Sequence, residues 1–328
     1  MENGGVPSVA RDIRSLKVQG ARRIAKAALQ ALMRAGDRSR AKDADRFYSD
    51  LLAQAQVLAK SRPTEPMMRN ALSESLRFSL AWIRAHPSEQ VSQLQAALHT
   101  HQDQMLYEMD RAAEKIARHG AAQIGPGADI LVHCHSSTLV RTIIRAQEDG
   151  KHPNVTCLET RPLWQGRLTA RELAGAGVRT SLAVDSAAGS LMPKMDLVMV
   201  GADAITAGGD LVNKIGTHTL AQLAHLHSVR FLCVAQIYKY DPLTRFGQNE
   251  PIEERAASEV WGDGKYAKEK DGKTKTLRVP AGLRVLNPAF DQTPARLVSA
   301  YVTEEGLMAP AQLSLIAEKK LGRKNRMQ

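Results

Sequence analysis

The chain has 328 residues, of which 43% are hydrophobic and 24% charged, and it carries a formal net charge of +11. Its three cysteines are too few for a disulfide scaffold and fit a reducing cytoplasm. No apolar stretch approaches the ~20 residues needed to span a bilayer, and the first 16 residues lack the apolar segment of a secretory signal.

The positive charge is spread over several segments of the chain. The last eleven residues hold five basic side chains against one acidic, and residues 263–278 hold six against three. A nucleic-acid-binding surface would concentrate such charge on one face or helix. The distribution favours a solvated surface and a small anionic substrate over nucleic acid.

The first third of the sequence is predicted to be helical, from residue 8 to about 118. Ile13, Leu16, Gly20 and Ile24 fall at helical spacing and predict one continuous helix, with Ser8 as its N-cap. Further helices are predicted within 46–66, 69–85 and 94–124, and the last of these is long enough to contain a break. The Gly125-Pro126-Gly127 turn predicts a boundary between a helical domain, 1–124, and a second domain, 125–328.

Beyond that turn, short apolar runs alternate with helical stretches. The runs occupy 129–135, 154–159, 178–184, 195–200, 230–236 and 283–290. Runs this short and continuous suit parallel strands covered on both faces, so the pattern predicts a doubly wound, Rossmann-like α/β domain. No glycine-rich dinucleotide or Walker A loop follows a strand. Residues of about 247–280 are predicted to form a charged surface loop, with a lid as the alternative.

Polar groups follow several of the predicted strands, and ligands of open α/β sheets bind beyond the carboxyl ends of strands. The segments are 133–137, 159–162, 201–205 and 237–239, together with 213–217, which opens a helix. We expect them to meet at one site.

Cys134 lies between two histidines at the end of the first predicted strand. Side chains alternate along a strand, so the cysteine points away from His133 and His135, and no spaced partner completes a metal shell. A buried structural thiol is one alternative. The other is a catalytic base, because a position ahead of a helix can lower a thiol pKa from ~8.5 toward neutral. Cys157 and Cys233 lie inside strands and are predicted to be core residues.

Asp203 follows the apolar run at 195–200. One interpretation is a cap for the next turn. The other is a general acid, because a carboxyl group that is partly removed from water costs free energy unless it has a partner or a proton. A thiol and a carboxyl group together could move a proton between adjacent carbons.

Several groups near these two indicate phosphate binding. Ser136 and Ser137 offer hydroxyls and the amides of a helix N-terminus, which bind anions. Lys214 and Lys239 are cations at strand ends, and Arg62 lies in a turn after a helix. Each alone is an ordinary solvated side chain, but together they could hold an anionic substrate at both ends.

Seven motifs carry a family resemblance: HCHSSTLVRTI, ETRPLWQGRLTARELAGAGV, DSA, GADAI, NKIGT, YK and NPAFDQTP. Together they resemble the ribose-1,5-bisphosphate isomerase family, which is similar to methylthioribose-1-phosphate isomerase and to regulatory subunits of initiation factor 2B. The resemblance implies a helical domain followed by a Rossmann-like domain, a hexamer built as a trimer of dimers, and no metal or organic cofactor. It also implies a place in archaeal nucleoside monophosphate degradation.

The resemblance implies roles for individual residues as well. Cys134 would be the catalytic base and Asp203 the acid. Substrate contacts carry over to Arg62, His135, Ser136, Ser137, Asn213, Lys214 and Lys239.

One position departs from the family pattern. The family has an Arg-Gly-Ala phosphate motif, and this chain has Gln19-Gly20-Ala21 in its place. Arg22 and Arg23 are candidate substitutes. The departure leaves two alternatives open: methylthioribose-1-phosphate isomerase, or a non-catalytic, initiation-factor-like protein that binds a sugar phosphate or nucleotide.

Overall fold

Five helices form the first part of the chain. The computed structural model describes residues 5–246, 249–261, 267–268, 274–275 and 279–323. The helices are α1 (Val6–Arg14), α2 (Ala21–Asp37), α3 (Ala44–Ala59), α4 (Pro66–Ala85) and α5 (Val91–Ala121). Apolar side chains from all five meet in one buried core. No helix among the described residues is both long and apolar enough to cross a membrane.

The single helix predicted through Ile13 and Ile24 is wrong. The chain forms two helices, because Leu16 (φ 61°) and Gly20 (φ 85°) both take left-handed backbone conformations, which a helix interior does not accommodate. Ser8 does not cap the first helix, which begins at Val6 after Gly5. The predicted break in the last helix is also absent, since α5 runs unbroken for 31 residues.

A seven-stranded sheet forms the core of the second part. Its order is β12-β11-β7-β4-β1-β2-β3, and every pair is parallel except β11 with β12. The strands are β1 (Asp129–His133), β2 (Asn154–Leu158), β3 (Arg179–Ala183), β4 (Leu197–Val200), β7 (Arg230–Val234), β11 (Ala300–Thr303) and β12 (Gly306–Met308). The helices that follow these strands are α6 (Ser137–Glu148), α7 (Gln165–Gly175), α8 (Ala188–Leu191), α9 (Thr217–Leu226) and α11 (Pro310–Arg323). The predicted α/β class is confirmed.

A second, antiparallel sheet lies beside the carboxyl ends of these strands. It consists of β5 (Ala204–Ile205), β6 (Leu211–Lys214) and β10 (Phe290–Thr293), in the order β10-β6-β5. The strand predicted at 283–290 is wrong, because β10 begins only at Phe290. Pro288 has no N–H to donate to a ladder, and its neighbours pair with another segment: Arg255 N–H donates to Asn287 O (2.9 Å), and Ala289 N–H donates to Glu253 O (2.8 Å).

The charged segment predicted as a surface loop is only partly described. Residues 249–261 include α10 (Ala257–Trp261), and β8 (Ala267–Lys268) pairs antiparallel with β9 (Thr274–Lys275). The remainder of 263–278 lies outside the described residues. The interpretation as surface does not hold for all of 249–261, because Glu250 is buried and the side chain of Arg255 is only 9% exposed.

Helix α5 contributes to two cores. Leu94 and Met105 lie in the core of the helical segment, whereas Ile116 and Ala121 pack with the main sheet. Near its end, α5 approaches α6 so closely that a Cβ on Gly120 would lie 2.5 Å from Thr142 Cγ2. The domain boundary at 124/125 stays a prediction, and this helix belongs to both parts of the fold.

Candidate active site

A cleft of about 460 Å³ opens at the carboxyl ends of β1 and β4. One wall comes from β6 and the turn after β7, and the other from the segment between α1 and α2 and the turn before α4. All twelve residues that the sequence predicted for the site line this one cleft: Gly20, Ala21, Arg22, Arg62, Cys134, His135, Ser136, Ser137, Asp203, Asn213, Lys214 and Lys239. Their individual roles stay predictions.

The backbone around Cys134 fixes the direction of its thiol. Cys134 has φ 66° and so takes a left-handed conformation directly after β1, which is uncommon for a residue with a Cβ and concentrates at functional sites. Its N–H donates to Thr160 Oγ1 (2.9 Å), and its carbonyl accepts from Thr169 Oγ1 (2.9 Å). Both ends of the peptide are thus held, so that the half-buried side chain faces the cleft.

The expected lowering of the thiol pKa is wrong. Burial raises the pKa of Cys134 to about 11, and the negative charge of Asp203 adds to the increase, while Lys214 opposes it. The helix that was expected to lower the pKa begins only at Ser137. The dipole of a helix terminus acts over about one turn and is outweighed here by the loss of water.

The two histidines beside Cys134 have separate partners. His133 is buried, and its Nε2 lies 2.9 Å from Ile215 O, while His135 Nδ1 lies 3.1 Å from Thr169 Oγ1. Burial lowers the pKa of both rings and favours their neutral forms. A neutral His133 must therefore donate from Nε2 to the Ile215 carbonyl. Within the part of the chain that the structure describes, no three His, Cys, Asp or Glu side chains group as metal ligands would.

Two lysines line the same cleft as the acidic member of the predicted pair. Asp203 is half-buried at the end of β4, and its N–H donates to Val212 O of β6 (2.9 Å). Lys239 is buried, and its ammonium group donates to the carbonyl of Ala202, the residue before Asp203. Lys214 is buried too, with Nζ 4.9 Å from the centre of the Phe290 ring. A backbone carbonyl and an aromatic ring therefore hold the two ammonium groups within the cleft.

Helix α6 presents its N-terminus to the cleft. Ser136 is the N-cap, and its Oγ accepts from Leu139 N–H (3.4 Å). Gly201 makes this approach possible, because a Cβ at that position would lie 2.8 Å from Ser136 Cβ. The free amides of the first turn and the dipole of α6 favour an anion here.

The segment between α1 and α2 lies at the opposite wall. Gln19 is exposed and donates from Nε2 to Leu16 O (2.9 Å), so its amide is tied to its own turn. Arg22 lines the cleft but also approaches Asp110 Oδ1 at 3.7 Å. Arg62 lines the cleft with its guanidinium 3.9 Å from Glu253 Oε2.

Sequence reasoning missed Arg255 and Glu65. Arg255 lines the cleft, but it lies in a charged stretch that shows no apolar periodicity. The one sequence signal is its spacing of two from Glu253, which places both side chains on the same face of an extended segment. Glu65 is 1% exposed and interacts electrostatically with Asp203, Arg62, Lys239 and Arg69. Burial raises its pKa to about 8. A glutamate before a proline gives no sign of such burial.

Comparison of the sequence with known protein families identifies the family that has this fold and this set of site residues. The profile of the Initiation factor 2 subunit family matches residues 17–310, so the chain belongs to that family.

Particular relatives cover nearly the whole chain. Ribose 1,5-bisphosphate isomerase of Thermococcus kodakarensis is 35% identical over 95% of this chain and 94% of its own length. Methylthioribose-1-phosphate isomerase of Yersinia pestis is 37% identical over 94% and 86%. Among solved structures, translation initiation factor eIF-2B of Pyrococcus horikoshii OT3 superposes with a TM-score of 0.75 at 25% identity and covers 94% of this chain and 98% of that one.

Proposed function

We propose that the protein is a sugar-phosphate aldose–ketose isomerase that converts ribose 1,5-bisphosphate to ribulose 1,5-bisphosphate. The observation that carries the proposal is one cleft in which a thiol, a carboxyl group and a surplus of fixed cations converge. Relatives named for this reaction, matched over almost their full length, support it.

The proposed mechanism moves protons between two residues and the sugar. Asp203 gives a proton to the ring oxygen as the C1–oxygen bond breaks, and Cys134, as thiolate, removes the proton from C2 to form a C1–C2 double bond. Cys134 then returns its proton to C1. The C2 hydroxyl becomes the ketone and restores the proton of Asp203, so both residues end in their starting states. Each such transfer contributes ~10²–10⁴ in rate.

Charge favours a bisphosphate over a methylthio sugar. Of the described residues that line the cleft, seven are lysine or arginine and two are acidic. A bisphosphate carries roughly four negative charges near neutral pH, since each phosphate bears about two above its second pKa of ~6. A methylthio group would need an apolar pocket, whereas the described lining of this cleft holds nine charged residues beside five large apolar ones. Methylthioribose-1-phosphate isomerase remains the second candidate because relatives of that name are equally similar in sequence.

A non-catalytic role as an initiation-factor-like binder is the alternative from a different class, and Gln19 is the residue that favours it. It predicts sugar-phosphate or nucleotide binding without turnover. The retained Cys134 and Asp203 favour the enzyme.

The test is direct. Purified protein is mixed with ribose 1,5-bisphosphate and, separately, with methylthioribose 1-phosphate, and the ketose product is measured. Ketose from the bisphosphate alone supports the proposal; ketose from the methylthio sugar alone supports the second candidate. Binding of both without product would identify a binder.

The resemblance carries the assembly and the setting into this proposal. We propose a cytoplasmic homo-hexamer built as a trimer of dimers, acting in nucleoside monophosphate degradation, without a metal or organic cofactor. The exposed apolar side chains Leu182, Val184 and Phe246 are available to subunit contacts. Light scattering coupled to size exclusion measures the assembly directly.

A further inference from the structure

Residues 249–261 carry two charged side chains, Glu253 and Arg255, to the part of the cleft that Arg62 lines. This segment runs antiparallel to 287–289. Arg255 N–H donates to the carbonyl of Asn287, and Ala289 N–H donates to the carbonyl of Glu253. Residue 290 begins β10, whose partner β6 carries Asn213 and Lys214. The segment is therefore anchored to the same small sheet as two predicted substrate contacts.

Extended backbone places Glu253 and Arg255 on the same face, because side chains alternate along it. Glu253 Oε1 lies 3.3 Å from Arg255 Nη1, and its Oε2 lies 3.9 Å from Arg62 Nη2. Both arginines line the cleft. One carboxylate thus bridges two guanidinium groups at the cleft wall.

This bridge leaves hydrogen-bonding capacity unused. Arg62 Nε and Glu253 Oε2 are both buried, and neither has a hydrogen-bond partner among the residues that the structure describes. The 3.9 Å separation of Glu253 from Arg62 balances charge without forming a good hydrogen bond. An arginine fork pairs best with a planar or tetrahedral oxyanion at 2.7–2.9 Å, and Glu253 does not supply that geometry to Arg62.

Arg255 is well supported from behind. Its Nε is 3.0 Å from both carboxylate oxygens of Glu259, and Asn287 Nδ2 lies 3.2 Å from Glu259 Oε2. This second carboxylate holds the guanidinium in place whether or not Glu253 remains bound. The Arg255 side chain is 9% exposed, so it is held in the cleft wall rather than free in solvent.

We infer that Arg62 and Arg255 together form a phosphate subsite, and that Glu253 is a replaceable counter-ion that a phosphate group of the substrate displaces. The inference rests on the proposed function for the identity of the substrate. It makes Arg255 a specificity-determining residue, because a second phosphate separates a bisphosphate from a monophosphate. It also shows how this chain binds two phosphates with Gln19 where the family has arginine.

The first variant is Glu253→Gln, which keeps shape and removes the competing charge. We expect KM for ribose 1,5-bisphosphate and the inhibition constant of inorganic phosphate both to fall several-fold, with kcat changed less than twofold, the pattern of uniform binding. Glu148→Gln is the matched control, since Glu148 pairs with Arg141 (2.9 Å) on the exposed surface. Unchanged constants for both substrate and phosphate in Glu253→Gln would overturn the subsite.

The second variant is Arg255→Lys, which keeps the charge and removes the Nη1 donor that now faces Glu253 Oε1 at 3.3 Å. We expect KM for the bisphosphate to rise about 10- to 100-fold, as the loss of a charge-assisted hydrogen bond predicts, while KM for a monophosphate analogue stays nearly constant. Arg245→Lys is the control, because Arg245 is an exposed partner of Glu318 (3.3 Å) outside the cleft wall. Equal effects on bisphosphate and monophosphate would contradict a role in specificity.

A binding measurement separates this inference from the proposed function. The thermal shift caused by inorganic phosphate is measured in the wild type and in both variants, in protein that has first been shown to be folded by its circular dichroism. If the bisphosphate is not isomerised but the phosphate shift grows in Glu253→Gln and shrinks in Arg255→Lys, the subsite stands and the proposed function fails. If isomerisation occurs and the phosphate shift is the same in all three proteins, the subsite fails and the function stands.

Discussion

The thiol of Cys134 must lose its proton before it can act as a base, and its surroundings resist that loss. With a pKa of about 11, only about one thiol in ten thousand is ionised at pH 7. Lys214 is the nearby charge that favours the thiolate. The rate of the isomerase should therefore keep rising as the pH becomes alkaline. A thiol with a pKa near 7 would instead be ionised already, and the rate would level off.

We expect Cys134→Ser to lower kcat by ~10² or more, the scale of losing a general base, with little change in Tm. Alkylation by iodoacetamide should label Cys134 before the buried Cys157 and Cys233, and it should accelerate about tenfold per pH unit between pH 7 and 10 because the thiolate is the nucleophile. Peptide mapping by mass spectrometry measures each rate. A labelling rate that levels off near pH 8 would show that the thiol is ionised more readily than its burial implies.

Glu65 gives a second prediction at this scale. Burial raises its pKa from 4.5 to about 8, so the folded chain holds a proton that the unfolded chain releases. Folding takes up that proton between these two values, and the contribution of Glu65 to stability therefore declines as pH rises from about 4.5 to 8.

Glu65→Gln is neutral at every pH and should escape this decline. We expect the Tm of Glu65→Gln relative to wild type to increase steadily from pH 5 to pH 8, and to stay constant above about pH 9. Glu148→Gln, on the exposed surface, is the control. A difference in Tm that does not vary with pH would mean that Glu65 is ionised in the folded chain.

Residue identities in the cleft were predictable where a motif or a strand end pointed to them. Asp203 follows the apolar run of β4 and Lys214 lies at a strand end, and ligands of such folds bind where strand ends meet. Arg255 and Glu65 were not predictable, since neither follows a strand. The Cys134 pKa could not be read from sequence either, because it depends on burial of the thiol and on the opposing charges of Asp203 and Lys214, rather than on the following helix.

At the scale of elements, helix α7 and strand β2 pack without space for a side chain between them. A Cβ on Gly166 would lie 1.7 Å from Leu158 O, so α7 begins against the backbone of β2. A Cβ on Gly175, at the other end of α7, would meet no described atom within 4 Å, and the φ of this glycine is not positive. The same helix therefore offers a test and its control.

Gly166→Ala should force the two elements apart and lower Tm by several degrees, in line with the ~1–3 kcal/mol typical of overpacking. It should also lower activity, because Thr169 of α7 holds the Cys134 carbonyl. Gly175→Ala should leave Tm unchanged or raise it slightly, since alanine has the higher helix propensity. Equal Tm values for the two variants in thermal denaturation would contradict this packing.

Strands were predicted correctly where a short apolar run was the deciding signal. The strands at β1, β2, β4 and β7 are continuous apolar runs, and each forms. The helix through Leu16 and Gly20 failed because spacing cannot register a left-handed residue. The strand at 283–290 failed because its apolar residues are interrupted by Pro288 and pair with a charged segment that has no periodic signal of its own.

At the scale of the whole molecule, α5 determines whether the two parts of the fold are independent. Its first half packs in the helical core with Leu94, and its last turns pack on the main sheet with Ile116. Cutting the chain at 124/125 would remove Ile116 from the sheet it covers. The glycine-rich turn at 125–127 marks a change of secondary structure, and the continuity of α5 ties the two cores together.

We therefore expect one cooperative unfolding transition rather than two. Leu94→Ala and Ile116→Ala lie in different cores, and each should lower the same Tm, since truncation of a buried aliphatic side chain costs about 2–5 kcal/mol. Calorimetry at a fixed protein concentration measures this, and a calorimetric enthalpy equal to the van't Hoff enthalpy would identify a single unit. If each variant shifts a separate transition, the cores are independent despite the shared helix. A fragment of residues 125–328 should fold alone if the cores are independent. If the fold is a single unit, the fragment should bind hydrophobic dye and show no sharp unfolding transition, because the face of α6 that Gly120 and Ile116 cover would be exposed to water.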